Sequence, residues 1–200
     1  MNRPLLLAIV LCCVVAGCSV RTADYYKASA PQGVIETKGS TCSGPTAIYQ
    51  FPIGDGAAGS IQAHPSPGFV VIFISLSLKE NRTVRLSNSE MRITDPSTKS
   101  TTQGLISKFR ISVFGQDDKP GHIETFEPTA ELRGSNRNPM RSIPLLGQVD
   151  SFNAAVRIPS RQLDSFMLEL PVLIADGTAI QVPPIEFGRK EQTYILACVQ

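Results

Sequence analysis

Apolar residues return at every second position between Phe69 and Lys79, where Val70, Ile72, Ile74, Leu76 and Leu78 alternate with the residues between them. A period of two places those five side chains on one face of a β-strand. The other face changes along the strand, as Val71 and Phe73 give way to Ser75 and Ser77. That change predicts burial on both sides at the start and on one side near the end. Lys79-Glu80-Asn81-Arg82 is a polar turn into a strand at Thr83 to Leu86, and Met91 to Thr94 follows with Met91 and Ile93 on one face. Asp95-Pro96-Ser97-Thr98 ends that strand, because proline lacks the donor that pairing needs.

Phe109, Ile111 and Val113 alternate with Arg110 and Ser112 until a loop at Gly115 to Gly121. Further strands are predicted at Ala154 to Ile158, Phe166 to Leu170 and Tyr194 to Val199, with one helical turn at Ser160 to Leu163. Val172 to Ala175 and Thr178 to Val182 flank Asp176-Gly177, a pair suited to a type I′ hairpin turn because both of its central residues need positive φ. No segment keeps a helical period for three turns. The predicted fold is all-β: an antiparallel, immunoglobulin-like β-sandwich over residues 42–200. The chain has no Trp, so the buried Trp of antibody domains has no counterpart and the likeness is one of architecture.

The amino-terminal region follows a different rule. Arg3 precedes an uncharged apolar run from Leu5 to Ala16, which ends in Val15-Ala16-Gly17-Cys18. The run is shorter than the roughly 20 residues a spanning helix needs, and it fits the core of an export signal. With its small residues before Cys18 it resembles the lipobox of bacterial lipoproteins. The resemblance implies a signal peptide at residues 1–17, cleavage before Cys18, and a diacylglycerol on the Cys18 sulfur with a further amide-linked fatty chain such as palmitate. It also implies a lipid-anchored envelope protein. Ser19 stands where inner-membrane lipoproteins carry Asp, which points to the outer membrane, facing the periplasm. Residues 18–41 are polar, with Pro31 and Gly33, and read as the lipidated cysteine and a flexible tether spanning about 25 Å.

Composition narrows the remaining possibilities. Hydrophobic residues at 42% against 18% charged describe a folded chain and not a disordered one. A formal charge of +2 is too small for a general nucleic-acid role, which needs a concentrated basic surface. Of the five cysteines, Cys12 and Cys13 belong to the signal and Cys18 is the anchor. Cys42 and Cys198 remain, and in an exported protein such a pair reads as a disulfide, closing a loop that contributes about 5 kcal/mol in the chain-entropy picture. Two buried free thiols are the alternative. No CxxC or HxxxH spacing occurs, so neither a metal site nor a cofactor is expected.

Nor is a catalytic centre expected. The only histidines, His64 and His122, sit in a proline-stiffened connection and a loop, and no Gly-x-Ser-x-Gly elbow occurs. Asp117, Asp118 and His122 read as a solvated turn, and Glu124 and Glu127 as strand-edge charges. The segment Glu127 to Gln148 reads as a long irregular connection with Arg133, Arg137 and Arg141 spaced along it. Guanidinium forks suit carboxylates, so these three are the candidate partner-binding residues. The reading is a protein-interaction or structural module that meets another envelope protein; the alternative is an immunity or inhibitor lipoprotein blocking a toxin or an envelope hydrolase.

Overall fold

The computed structural model describes residues 19–30, 33–40, 44–113, 120–137, 142–143, 147–159 and 163–196. Its organising element is the strand that the alternation marks most clearly, β5 (Phe69–Leu78). On one side β5 pairs over ten residues with β4 (Ala57–Ser66), and on the other over ten residues with β14 (Asp150–Pro159), both antiparallel. The sheet continues through β3 (Gly44–Gly54) to β2 (Val34–Ser40) and through β9 (Phe109–Val113) to β10 (His122–Phe126), giving seven strands.

A second sheet of five strands runs in the order β1 (Ser19–Ser29), β18 (Ile185–Leu196), β15 (Ser165–Glu169), β7 (Glu90–Thr94) and β8 (Thr101–Leu105). Here β1 lies against β3 and β4, and β8 against β14. The apolar faces of both sheets enter one core, with Ile72, Leu76 and Phe152 from one side and Phe166, Leu168 and Phe187 from the other. A four-stranded sheet joins β11 (Leu132–Arg133), β6 (Thr83–Leu86), β16 (Leu173–Ala175) and β17 (Thr178–Ile180). The last two form the hairpin the sequence predicts, with φ of 46° at Asp176 and 83° at Gly177. A short pairing of β12 (Ser142–Ile143) with β13 (Gly147–Gln148) completes the strands. All pairings are antiparallel and no helix occurs among the described residues, so the all-β reading stands.

Several expectations need correction. The tether is one: Ser19–Ser29 is a full strand whose eleven residues pair with β18. Tyr25, Tyr26 and Ala28 are buried, the Tyr26 hydroxyl donates to the Leu163 carbonyl at 2.8 Å, and Arg189 pairs with Asp24. Residues 19–29 and 34–40 are therefore strands of the described fold and not a tether. The connection around His64 is another, since His64 and Pro65 belong to β4. The β3–β4 ladder runs only to the pair Tyr49–Ile61, so the donor that Pro65 lacks is not required by β3. His122 is likewise on a strand. The segment after Glu127 is not wholly irregular, because it contains β11, β12 and β13. Finally, β5 is covered on one face only: Val71 is half-buried and Phe73 is 44% exposed.

Gly134 shows how closely the ends of these sheets meet. Its N–H donates to the Arg82 carbonyl at 2.9 Å and its own carbonyl accepts from Asn81 at 2.8 Å. A Cβ there would lie 1.9 Å from the Lys79 carbonyl oxygen, so backbone held on both sides would have to move. Gly134→Ala is expected to destabilise the fold by about 1 to 3 kcal/mol, read as a lower urea midpoint at unchanged slope.

Candidate functional site

Of the three arginines singled out from the sequence, Arg133 and Arg137 are described and Arg141 lies outside the described residues. Arg133 is exposed and its guanidinium reaches the Glu131 carboxylate at 3.4 Å, a neighbour on its own segment. Arg137 has a different role. Its Nε donates to Glu124 Oε2 at 3.1 Å, and its Nη1 donates to Asp150 Oδ2 at 3.1 Å and to the Arg133 carbonyl at 2.8 Å. Its guanidinium carbon sits 5.9 Å from the ring centroids of both Phe126 and Phe152.

Asp150 is the partner that fixes this arrangement. The first residue of β14 is fully buried, and its carboxylate also accepts the backbone N–H groups of Ser135 and Arg137, each at 2.9 Å. A buried carboxylate needs this many donors to offset its desolvation. The node ties the connection after β11 to β14 and, through Glu124, to β10. Two of the three arginines are thus brought together, and Arg137 works inward as a structural clamp. A cleft of about 330 Å³ at its margin is lined by Leu78, Lys79, Glu80, Asn136, Gln148 and Val149.

The larger recess lies elsewhere, on the outer face of the seven-stranded sheet. Strand pairing aligns side chains there in rows. Arg110 stands opposite Asn153, Asn153 opposite Ser75, Ser75 opposite Ser60 and Ser60 opposite Gln50, a polar row across β9, β14, β5, β4 and β3. The adjacent row sets Ala155 beside Phe73 and Phe73 beside Gln62. From these rows Asn153, Ser75, Ser60, Phe73 and Gln62, together with Thr46 and His64, line a groove of about 570 Å³. The His64 ring meets Phe73 edge-on with centroids 5.4 Å apart, and its Nε2 is 3.4 Å from Gln62 Oε1. Partial burial holds the His64 imidazole below its ordinary value of 6.5, so it is neutral at pH 7.

No known protein family, curated protein or solved structure matches the chain. The chemistry of the sites therefore carries the functional reading.

Neither site assembles a nucleophile with a base, and no group of three or more metal-ligating side chains occurs among the described residues. Cys18, Cys42, Cys198, Asp117 and Asp118 lie outside the described residues, and so does most of the helical turn expected at Ser160 to Leu163. Glu124 is 3.4 Å from His122 and pairs with Arg137 at 3.1 Å, so it belongs to the Arg137 node and is more than an edge charge. The groove is not visible in the sequence because the apolar start of β5 places Phe73 on a buried face. The signal available was the run Ser60, Gln62, His64, in which polar residues alternate with Ile61 and Ala63.

Proposed function

We propose that this protein is a lipid-anchored binding module of the bacterial envelope, held in the outer membrane by Cys18 and presenting its seven-stranded sheet to a partner in the periplasm. The observation that carries the reading is that sheet's uncovered outer face, where uncharged polar side chains surround an exposed aromatic ring. Such a surface offers hydrogen bonds and contact area with no group placed for covalent chemistry. The immunoglobulin-like sandwich belongs to the same proposal. The two large sheets facing across one core support it, whereas β2 to β5 form a sequential meander that differs from the strand order of an antibody-type sheet.

The anchor has a geometric consequence. Because β1 begins at Ser19, directly after the proposed lipid attachment, the domain has no spacer and rests against the headgroups. Two or three acyl chains at roughly 0.8 kcal/mol per buried methylene hold it there without exchange. Cys18→Ala is expected to abolish fatty-acid labelling and to leave an unprocessed or soluble form in cell fractionation. Normal labelling of that variant would remove the anchor from the reading. The binding role is tested in intact envelopes by placing a photo-crosslinking residue at Ala155. A discrete adduct supports the module, and the absence of any adduct from positions across this face overturns it.

A further inference from the structure

The groove on the seven-stranded sheet has a lining that selects among ligand classes. Beside the apolar Phe73, Ile74 and Ala154 it carries hydroxyls, amides and a neutral imidazole, which donate and accept in the same small space. At their centre Phe73 is 44% exposed, with only Ala155 beside it on β14, so one flank of the ring is left open. A pyranose ring has the same dual character, an apolar C–H face and a rim of hydroxyls. The polar row from Arg110 to Gln50 crosses five strands, about 19 Å at the usual spacing, which is the span of a short oligosaccharide.

Other occupants fit less well. A peptide that binds a sheet adds to an unpaired edge, whereas β14, β5 and β4 are interior strands already paired along both sides. An acyl chain would cover Phe73 but leave the hydroxyls and amides of Ser60, Gln62, Ser75 and Asn153 without hydrogen-bond partners. Nucleic acid requires more positive charge than a face carrying Arg110 and Arg157 supplies.

Charge defines the ligand further. Arg110 is the charged member of the polar row, Arg157 stacks over Phe69 at 5.6 Å on the same face, and neither is ion-paired with a carboxylate among the described residues. No described side chain on the outward face of β9, β14, β5, β4 or β3 is acidic. We propose that this groove is an oligosaccharide-binding site, with the sugar rings on Phe73, their hydroxyls on Gln62, Ser75 and Asn153, and an acidic substituent of the glycan against Arg110. It names the partner class of the binding face proposed above. The ladders on both sides of β5 hold these groups in place before any ligand arrives.

The test uses the full-length chain in detergent micelles, titrated by calorimetry with a hyaluronan tetrasaccharide as the acidic probe and chitotetraose as the neutral one. Both are expected to bind, the acidic one more tightly. Phe73→Ala is expected to weaken both by about tenfold, the upper end for an aromatic contact. Arg110→Gln is expected to weaken the acidic probe by up to about fivefold and leave chitotetraose unchanged. Both substitutions are on the surface, and an unchanged urea midpoint verifies that each variant is folded. Absence of heat with either probe, or binding unaffected by Phe73→Ala, overturns the proposal. The photo-crosslink to an envelope partner is read separately, so failure of the glycan assignment leaves the wider module reading standing.

Discussion

Asp150→Ala is expected to lower the unfolding free energy by about 3 to 5 kcal/mol, the usual consequence of breaking a buried ion pair from one side. The substitution removes the acceptor for three donors at once: the Ser135 N–H, the Arg137 N–H and the Arg137 Nη1. It leaves two backbone donors unpaired beside a half-buried guanidinium, and water has little access because Asp150 is fully buried. Domain stabilities are about 5 to 15 kcal/mol, so the loss is a large share of the total. The check is a urea titration at neutral pH. Arg137→Ala is expected to cost less, since Asp150 keeps its two backbone donors, and the double variant is expected to be more stable than the sum of the single losses predicts. Strict additivity, or an Asp150 variant as stable as the wild type, would show that the clamp contributes little. Loss of Arg137 is accordingly expected to act on stability before it acts on any partner.

Phe166→Ala is expected to be comparably severe, at about 3 to 5 kcal/mol for a fully buried aromatic. Phe166 is completely buried, stacks on Phe187 with centroids 5.1 Å apart and takes the Tyr26 ring edge-on at 5.0 Å. Phe187 is its cross-strand partner and Tyr26 lies on the edge strand β1. The cavity therefore opens where β1 docks, and β1 has a neighbouring strand on one side only. Amide exchange at Tyr25 to Ala28 is expected to speed up more than exchange in β5. Phe166→Leu, which fills most of the volume, is expected to cost less than about 1.5 kcal/mol. Equal exchange in both strands would mean that β1 is held by its ladder alone.

The two predictions rest on features that differ in how far the sequence announces them. A large apolar residue at every second position of β5, β9 and β15 is visible because one face of each must meet a core, and side-chain direction along a strand has a period of two whatever surrounds it. The Asp176-Gly177 turn is visible for an equally local reason, the positive φ of its two residues. β4 is faint by comparison. Its inward positions are Ala57, Gly59, Ile61 and Ala63, small residues with little hydropathy, and Gly59 is required because the Phe51 ring occupies the place of its Cβ, 2.2 Å away. β1 is fainter still, as Asp24, Tyr25 and Tyr26 break the alternation and the strand that pairs with it lies at the other end of the chain. The start of β14 is hidden because Asp150 and Ser151 are buried polar residues, acceptable there only with partners supplied from other segments.

What the sequence by itself determined is the class of structure, all-β and antiparallel, together with the hairpin and the turns that separate the strands. These follow from local steric and solvation rules acting over a few residues. The tertiary structure alone decided which faces remain open and which charges are consumed. The neighbours of Phe73 in sequence place it on a buried face, yet among the described residues no layer covers that side of β5, and the ring stands in a groove. Arg137 carries the same charge as Arg133, yet Asp150 and Glu124 turn it inward while Arg133 points to solvent. Covering and pairing depend on residues far apart along the chain, and no local periodicity encodes them.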